Sequence, residues 1–137
     1  MMRSASAASR VSDIVMADAA TLADAIRSRQ ISCVEVMAAY LNHIENLNPN
    51  VNTIVALQDR GALLAQASDR DAQLSRGKLM GPLHGLPYAV KDLVSVKGIP
   101  TTLGSPILKR FCPDWRQHHS RTIAPGRRDF HWQDQYF

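Results

Sequence analysis

The sequence predicts an α/β chain that opens on two helices and continues through short strands with a helix between them. Three observations carry that prediction. Apolar residues recur at helical spacing through long windows before residue 76. Two short apolar or β-branched runs, residues 51–57 and 87–92, read as strands. Glycine and proline cluster on both sides of the second run. The order helix, helix, strand, helix, strand is an α/β opening.

Each element has a local reason. Thr21-Leu-Ala-Asp24 opens a short amphipathic helix to about Arg29, with Leu22, Ala25 and Ile26 on one face. Ser32-Cys-Val-Glu35 is a capping box, in which hydroxyl and carboxylate satisfy each other's free amides. Ile31 and Val36 flank it as a hydrophobic staple. The second helix sets Met37, Tyr40, Leu41, Ile44 and Leu47 inward and is expected to end near Asn48-Pro49, since proline disfavours helix just before it. Residues 60–76 return to helix, with Leu63, Leu64, Ala67 and Leu74 inward and Gly77 as the stop after the cap. Residues 79–86 are loop, and 87–92 a short buried strand. The aliphatic stripes are core, not the lining of a cofactor site.

With 137 residues, 45% apolar and 20% charged, the chain has the material for one ordinary domain and not the composition of a disordered one. No apolar run reaches the roughly 18 residues that a membrane span requires. Residues 1–10 lack the apolar stretch of a secretory signal. Cys33 and Cys112 have no paired spacing, which fits a reducing cytoplasm better than a disulfide framework. Of the net charge of +4, residues 115–137 hold half, with Arg116, Arg121, Arg127 and Arg128 against Asp129 and Asp134. Neither part has the clustered basic face of a nucleic-acid binder.

The most informative stretch is Gly81-Pro-Leu-His84-Gly-Leu-Pro87-Tyr-Ala-Val-Lys91-Asp92, followed by Gly98-Ile-Pro-Thr101-Thr102-Leu-Gly104-Ser105. It sets one lysine at the end of an apolar run between two turn-rich loops. An ammonium held partly out of water is disfavoured relative to the neutral amine, the form that accepts a proton. The plainer reading of Lys91 beside Asp92 is a solvated ion pair. His84, flanked by glycine, is expected to be a structural hydrogen-bonder, and Gly104-Ser105 a turn or part of a site wall.

In order and spacing, G-P-L-H-G-L-P-x-A-V-K-D followed by G-I-P-T-T-x-G-S resembles the first part of the amidase signature family, serine amidohydrolases with a Ser-Ser-Lys triad. The resemblance runs from about Thr21 to Asp114 and implies the N-terminal portion of that family's fold, helices followed by strands of a mixed sheet, incomplete here. It implies that Lys91 is the base. Lys91 would accept a proton from a serine in a cis peptide, which activates a second serine to attack the amide carbonyl. An acyl-enzyme forms, ammonia or an amine leaves, and water completes hydrolysis. The implied partner is a small-molecule amide; no metal or organic cofactor, nucleic acid or membrane is implied, and the oligomeric state stays open. The family's two serines sit in a Gly/Ser-rich stretch, and no G-G-S-S-G-G-type segment occurs in this sequence; Ser95, Ser105 and Ser120 lack that setting.

The organisation expected is a flexible N-terminus over residues 1–20, the amidase-like part over 21–114, and an unrelated, disordered tail over 115–137. That tail, W-R-Q-H-H-S-R-T-I-A-P-G-R-R-D-F-H-W-Q-D-Q-Y-F, has no helical or alternating period. Read one base later, with suitable synonymous codons, it encodes G-D-S-I-I-A-E-R-L-R-Q-A-G-A-I-S-I-G-K-T-N-I-S, an amphipathic helix and apolar strand that looks like the family's continuation. The expectation is a reading frame that slipped near Asp114 or Trp115. Cys112, His118, His119 and His131 match no zinc spacing. Trp115, Phe130, Trp132 and Tyr136 among the arginines suggest base stacking only if that frame is intended. Two other readings stand beside the truncated amidase: a small helical binding module without catalysis, and a fragment resembling the amidase-type subunit of a glutamyl-tRNA amidotransferase. The V-K-D-L form leans away from the latter.

Overall fold

The computed structural model describes residues 13–96 and 98–113. They fall into two compact units that divide after Tyr88. The first is helical: α1 spans Ala19–Arg27, α2 Cys33–Val51 and α3 Arg60–Ser75, after one helical turn over residues 13–16.

α1 begins at Asp18, whose carboxylate accepts from the Thr21 amide at 2.8 Å and from the Thr21 hydroxyl at 2.8 Å. It ends without glycine. Arg29 takes the left-handed conformation at φ 59, with its amide on Ile26 O and that of Gln30 on Ala25 O. A side chain in that region costs on the order of 1 kcal/mol. The Arg29 guanidinium offsets it by donating to Leu74 O at 2.7 Å, binding the end of α1 to the last turn of α3.

The N-terminus of α2 has the expected capping box. Ser32 Oγ accepts from the Glu35 amide at 3.1 Å, and a Glu35 carboxylate oxygen accepts from the Ser32 amide at 2.9 Å. The two remaining free amides of the first turn are capped from another helix. Asp71 of α3 accepts from Cys33 N at 2.8 Å and from Val34 N at 3.2 Å. A carboxylate there also meets the positive end of the helix dipole. At the other end of α3, Arg60 donates to Glu45 at 2.8 Å and to Asn42 at 2.7 Å. With residue 60 beside 42–45 and residue 71 beside 33–34, α2 and α3 run antiparallel.

Their shared face, with α1, forms the core: Leu22, Ile26, Cys33, Val36, Met37, Leu41, Leu63, Ala67 and Leu74 are buried together. Ile31 and Leu64 pack against this cluster, as the staple and the inward face of α3 require. α3 stops as its sequence dictates. Gly77 is left-handed at φ 74, its amide bonds Leu74 O, and the Lys78 amide bonds Gln73 O.

Three expectations fail here. α2 does not stop at Asn48-Pro49 but continues to Val51, because a proline in the last turn forfeits a single helical bond and Asn52, left-handed at φ 47, closes the end. Leu47 is 49% exposed, not inward, because α3 begins opposite residues 42–45 and leaves the final turns of α2 uncovered. Residues 51–57 are not a strand: the Asn48 side-chain amide bonds both the amide and the carbonyl of Ile54, taking the place a neighbouring strand would fill.

The second unit, residues 89–113, is built of turns. Gly98 N donates to Pro113 O and Thr101 N to Phe111 O, so residues 98–101 run antiparallel to 111–113. Between them, Leu103 and Gly104 both have positive φ, 51 and 72, with Ser105 N on Thr102 O, and a 3₁₀ turn covers Pro106–Leu108. Residues 87–92 do not form the expected strand: Tyr88 takes part in a single bridge, Asp92 enters a turn, and among the described residues no strand is formed. No described helix is long and apolar enough to cross a membrane. Of the segments 1–20 and 115–137, expected to be flexible and disordered, residues 1–12 and all of the tail lie outside the described residues, while residues 13–16 and 19–20 are helical.

If Asp71 joins α3 to α2, Asp71→Ala lowers the stability of the helical unit by about 1–2 kcal/mol in urea unfolding followed at 222 nm. Asp69→Ala, at an exposed position of the same helix, serves as control and changes it little.

Candidate functional site

The loop that leaves the C-terminus of α3 is fixed by His84. The residue is 5% exposed. Nδ1 accepts from the Met80 amide at 3.2 Å, so Nε2 carries the proton and donates to Arg70 O at 3.1 Å. Both ring nitrogens are used, and only the neutral tautomer satisfies them. Burial lowers the imidazole pKa, and the Arg70 cation adds to this; the Arg70 carbonyl bond and the Asp71 carboxylate oppose it. His84 is thus a structural hydrogen-bonder, as its sequence setting predicts.

Gly85 follows with φ 78. A Cβ added there would collide with Cys33 Sγ and crowd Cys33 Cβ and Ile26, so the loop lies directly on the start of α2. The partner sulfur is inert. Burial, with a side-chain hydrogen bond to Asp71, pushes the Cys33 thiol up to about 12, far from thiolate chemistry at neutral pH. Both cysteines are free thiols, Cys33 buried and Cys112 exposed.

In the second unit, Lys91 sits at the start of a tight turn. Its carbonyl accepts from Leu93 N at 2.7 Å and from Val94 N at 3.0 Å. Asp92 is held across the unit: Oδ1 accepts from the Thr102 amide at 2.7 Å and Oδ2 from the Thr102 hydroxyl at 2.5 Å. The Thr102 hydroxyl in turn accepts from Gly104 N at 3.2 Å. The Thr102 side-chain bond, chiefly, holds the Asp92 carboxyl below its ordinary pKa, with the backbone amides of Thr102, Leu103 and Gly104 assisting against some burial. This latch contributes stability above the ordinary carboxylate pKa of 3.8 and loses it only as pH falls through the lowered value. The two halves of the motif, V-K-D and G-I-P-T-T-x-G-S, are therefore one hydrogen-bonded object.

Two expectations about Lys91 change. The lysine is exposed, as are Tyr88 and Ala89, so no buried strand screens the amine from water. The bland ion pair is absent as well: among the described residues Lys91 has no salt bridge, because both oxygens of Asp92 face Thr102. Ser95 is buried, and the Ser105 amide bonds Thr102 O in the turn; Ser120 and the histidines 118, 119 and 131 lie outside the described residues. Among the described residues no three His, Cys, Asp or Glu side chains gather as a metal site. Sequence reasoning passed over Asp71 and Thr102. Asp71 looks like any polar residue of a helix surface, whereas Thr102 stood in the quoted motif and was readable as a carboxylate donor.

Comparison with known proteins extends beyond the motif. The model of the family described as Amidase matches residues 35–117. One subunit of the glutamyl-tRNA(Gln) amidotransferase of Streptomyces coelicolor is 40% identical over 105 residues, 77% of this chain and 21% of that protein. An amidase from Pseudomonas putida is 40% identical over 88 residues, 64% of this chain and 18% of that protein. Among solved structures, a chain from work on a vestigial protein complex and the evolutionary origins of an s-triazine catabolic enzyme aligns with a TM-score of 0.63. It is 29% identical and covers 71% of this chain and 21% of that one. The chain spans about a fifth of the length of the curated relatives it matches.

Two outcomes test the loop. His84 has a lowered folded pKa, so the unfolded state binds the proton first; the stability it contributes is whole above the ordinary value of 6.5 and declines as pH falls below it. Melting of the helical unit is expected at lower temperature at pH 5.5 than at pH 7.5, with a smaller difference in His84→Gln. Gly85→Ala is expected to cost about 2 kcal/mol or more through clash and positive φ, and Cys33→Ala in the same chain to recover part of it.

Proposed function

The chain belongs to the amidase family, and from that premise we propose that it is the lysine-bearing N-terminal part of an amide hydrolase, with Lys91 as the proton acceptor. The observation that carries this is the V-K-D turn: it lies within the matched residues 35–117, and its amine is committed to no carboxylate among the described residues. In the reaction that the family resemblance implies, the neutral Lys91 Nζ takes a proton from one serine. That serine takes one from a second, whose oxygen attacks the amide carbon. The amine leaves with a proton, and water cleaves the resulting ester. In a chain of the relatives' length, residues 87–92 would enter a mixed sheet that screens Lys91 from water, and the protein would be cytoplasmic and act on a small-molecule amide.

The sequence has no G-G-S-S-G-G-type stretch to supply the serines. Triads act as a unit, and loss of the nucleophile removes rate by a factor on the order of a million. This polypeptide alone is therefore proposed to be inactive. The tail after Asp114 is proposed to come from a slipped frame, a reading supported by a family match that ends at residue 117 and by the family-like peptide in the shifted frame. DNA that runs in an intact frame through the Trp115 codon, with no amidase continuation in any frame, would end that part.

The amidase-type component of a tRNA-dependent amidotransferase is the second reading. The Streptomyces coelicolor relative equals the Pseudomonas putida amidase in identity and aligns over more residues, 105 against 88. A helical binding module is the third, and a discrete soluble monomer or dimer on size exclusion would favour it over a fragment that aggregates. For the leading reading, the purified chain incubated with simple carboxamides is expected to release no ammonia above buffer. Release that disappears in Lys91→Ala would overturn the inactivity.

A further inference from the structure

We infer that Thr102 is a positioning residue for Lys91, acting through Asp92 by holding that carboxylate away from the neighbouring amine. This rests on the reading of Lys91 as the proton acceptor and adds a residue to it. The problem it addresses is elementary. A lysine and an aspartate adjacent in an exposed turn attract one another, and a paired ammonium is a poor proton acceptor because its partner favours the charged form.

The geometry removes the partner. Thr102 supplies two donors in one residue, its amide to Oδ1 at 2.7 Å and its hydroxyl to Oδ2, so both carboxylate oxygens point along the chain toward the 102–105 turn. Bonds from neutral donors to a carboxylate are charge-assisted and outcompete an exposed, mobile ammonium, whose pairing in water is weak. The hydroxyl is oriented from behind, since it accepts from Gly104 N at 3.2 Å and its own proton is left for Asp92. The turn that allows this needs positive φ at Leu103 and Gly104. On the lysine side, the Lys91 carbonyl is gripped by two amides, which fixes the direction in which the side chain leaves the backbone. The motif's G-I-P-T-T-x-G-S half is then the device that frees the lysine of its V-K-D half.

Amine acylation of the full chain by limiting acetic anhydride at one pH, read by mass spectrometry, tests this without turnover. Lys109, exposed in the same unit, is the internal reference. Thr102→Val is expected to slow Lys91 labelling relative to Lys109 by about threefold or more, as Asp92 swings to the ammonium, and Thr102→Ser to restore it. In an Asp92→Asn background, which has no carboxylate to release, Thr102→Val is expected to change nothing. A loss that persists in that background would mark a merely structural role and overturn the inference, as would unchanged labelling in Thr102→Val. The labelling reads the latch and not catalysis. A Lys91 that fails as a base leaves this result standing, and a null result here leaves the base assignment untouched.

Discussion

The first unit depends on one carboxylate. Asp71 lies deep in α3, yet it completes the N-terminus of α2 by accepting from the Cys33 and Val34 amides, while Ser32 serves the third free amide, that of Glu35. Without it, two buried or half-buried donors lose partners in a place where water cannot replace them well. The bond also sets register: with Arg60 hooked to residues 42 and 45, it fixes how far α3 slides along α2. The core contacts of Val36, Met37, Leu63 and Ala67 follow from that register.

The same joint prepares the ground for the motif. Once the start of α2 is fixed, Cys33 Sγ presents a surface that only a glycine can approach, and Gly85 does. His84 then ties the loop to the carbonyl of Arg70, one residue before the capping Asp71. Most polar groups of G-P-L-H-G-L-P and V-K-D are thus spent on architecture: the imidazole on two backbone groups, the aspartate on Thr102. Of the charged side chains in these two segments, that of Lys91 meets no carboxylate among the described residues.

The legible and illegible parts of the sequence separate by range. The capping box, the Gly77 stop and, Leu47 apart, the inward stripes are written within a few residues, and they appear as read, with His84 in its structural role. Helix ends were less legible: Arg29 adopts a conformation its residue type disfavours and a tertiary bond to Leu74 O compensates, while Asn52, which tolerates the left-handed region, closes α2 beyond the proline. Asp71 was illegible for the same reason: its partner is 38 residues away, and no local pattern marks it. The exposure of Lys91 was misread because an apolar run implies burial only where something lies over it.

That last point governs the absent strands. A helix satisfies its own backbone, so a stretch spanning about a fifth of its relatives' length still forms three of them, each with caps supplied nearby. A strand satisfies nothing alone; its amides need a neighbour, and its apolar side chains need a facing layer. Val51, Val55 and Leu57 are 64%, 72% and 37% exposed, and Asn48 takes up the backbone of Ile54 in place of a neighbouring strand. Residues 87–92 set the β-forming Tyr88 and Val90 among Pro87, Ala89, Lys91 and Asp92, which disfavour strands, and among the described residues they form none. The turn at Lys91 escapes this dependence, because its latch closes over ten residues and needs no sheet. The turn that carries Lys91 is therefore locally self-supporting, while a strand over residues 87–92 depends on long-range structure.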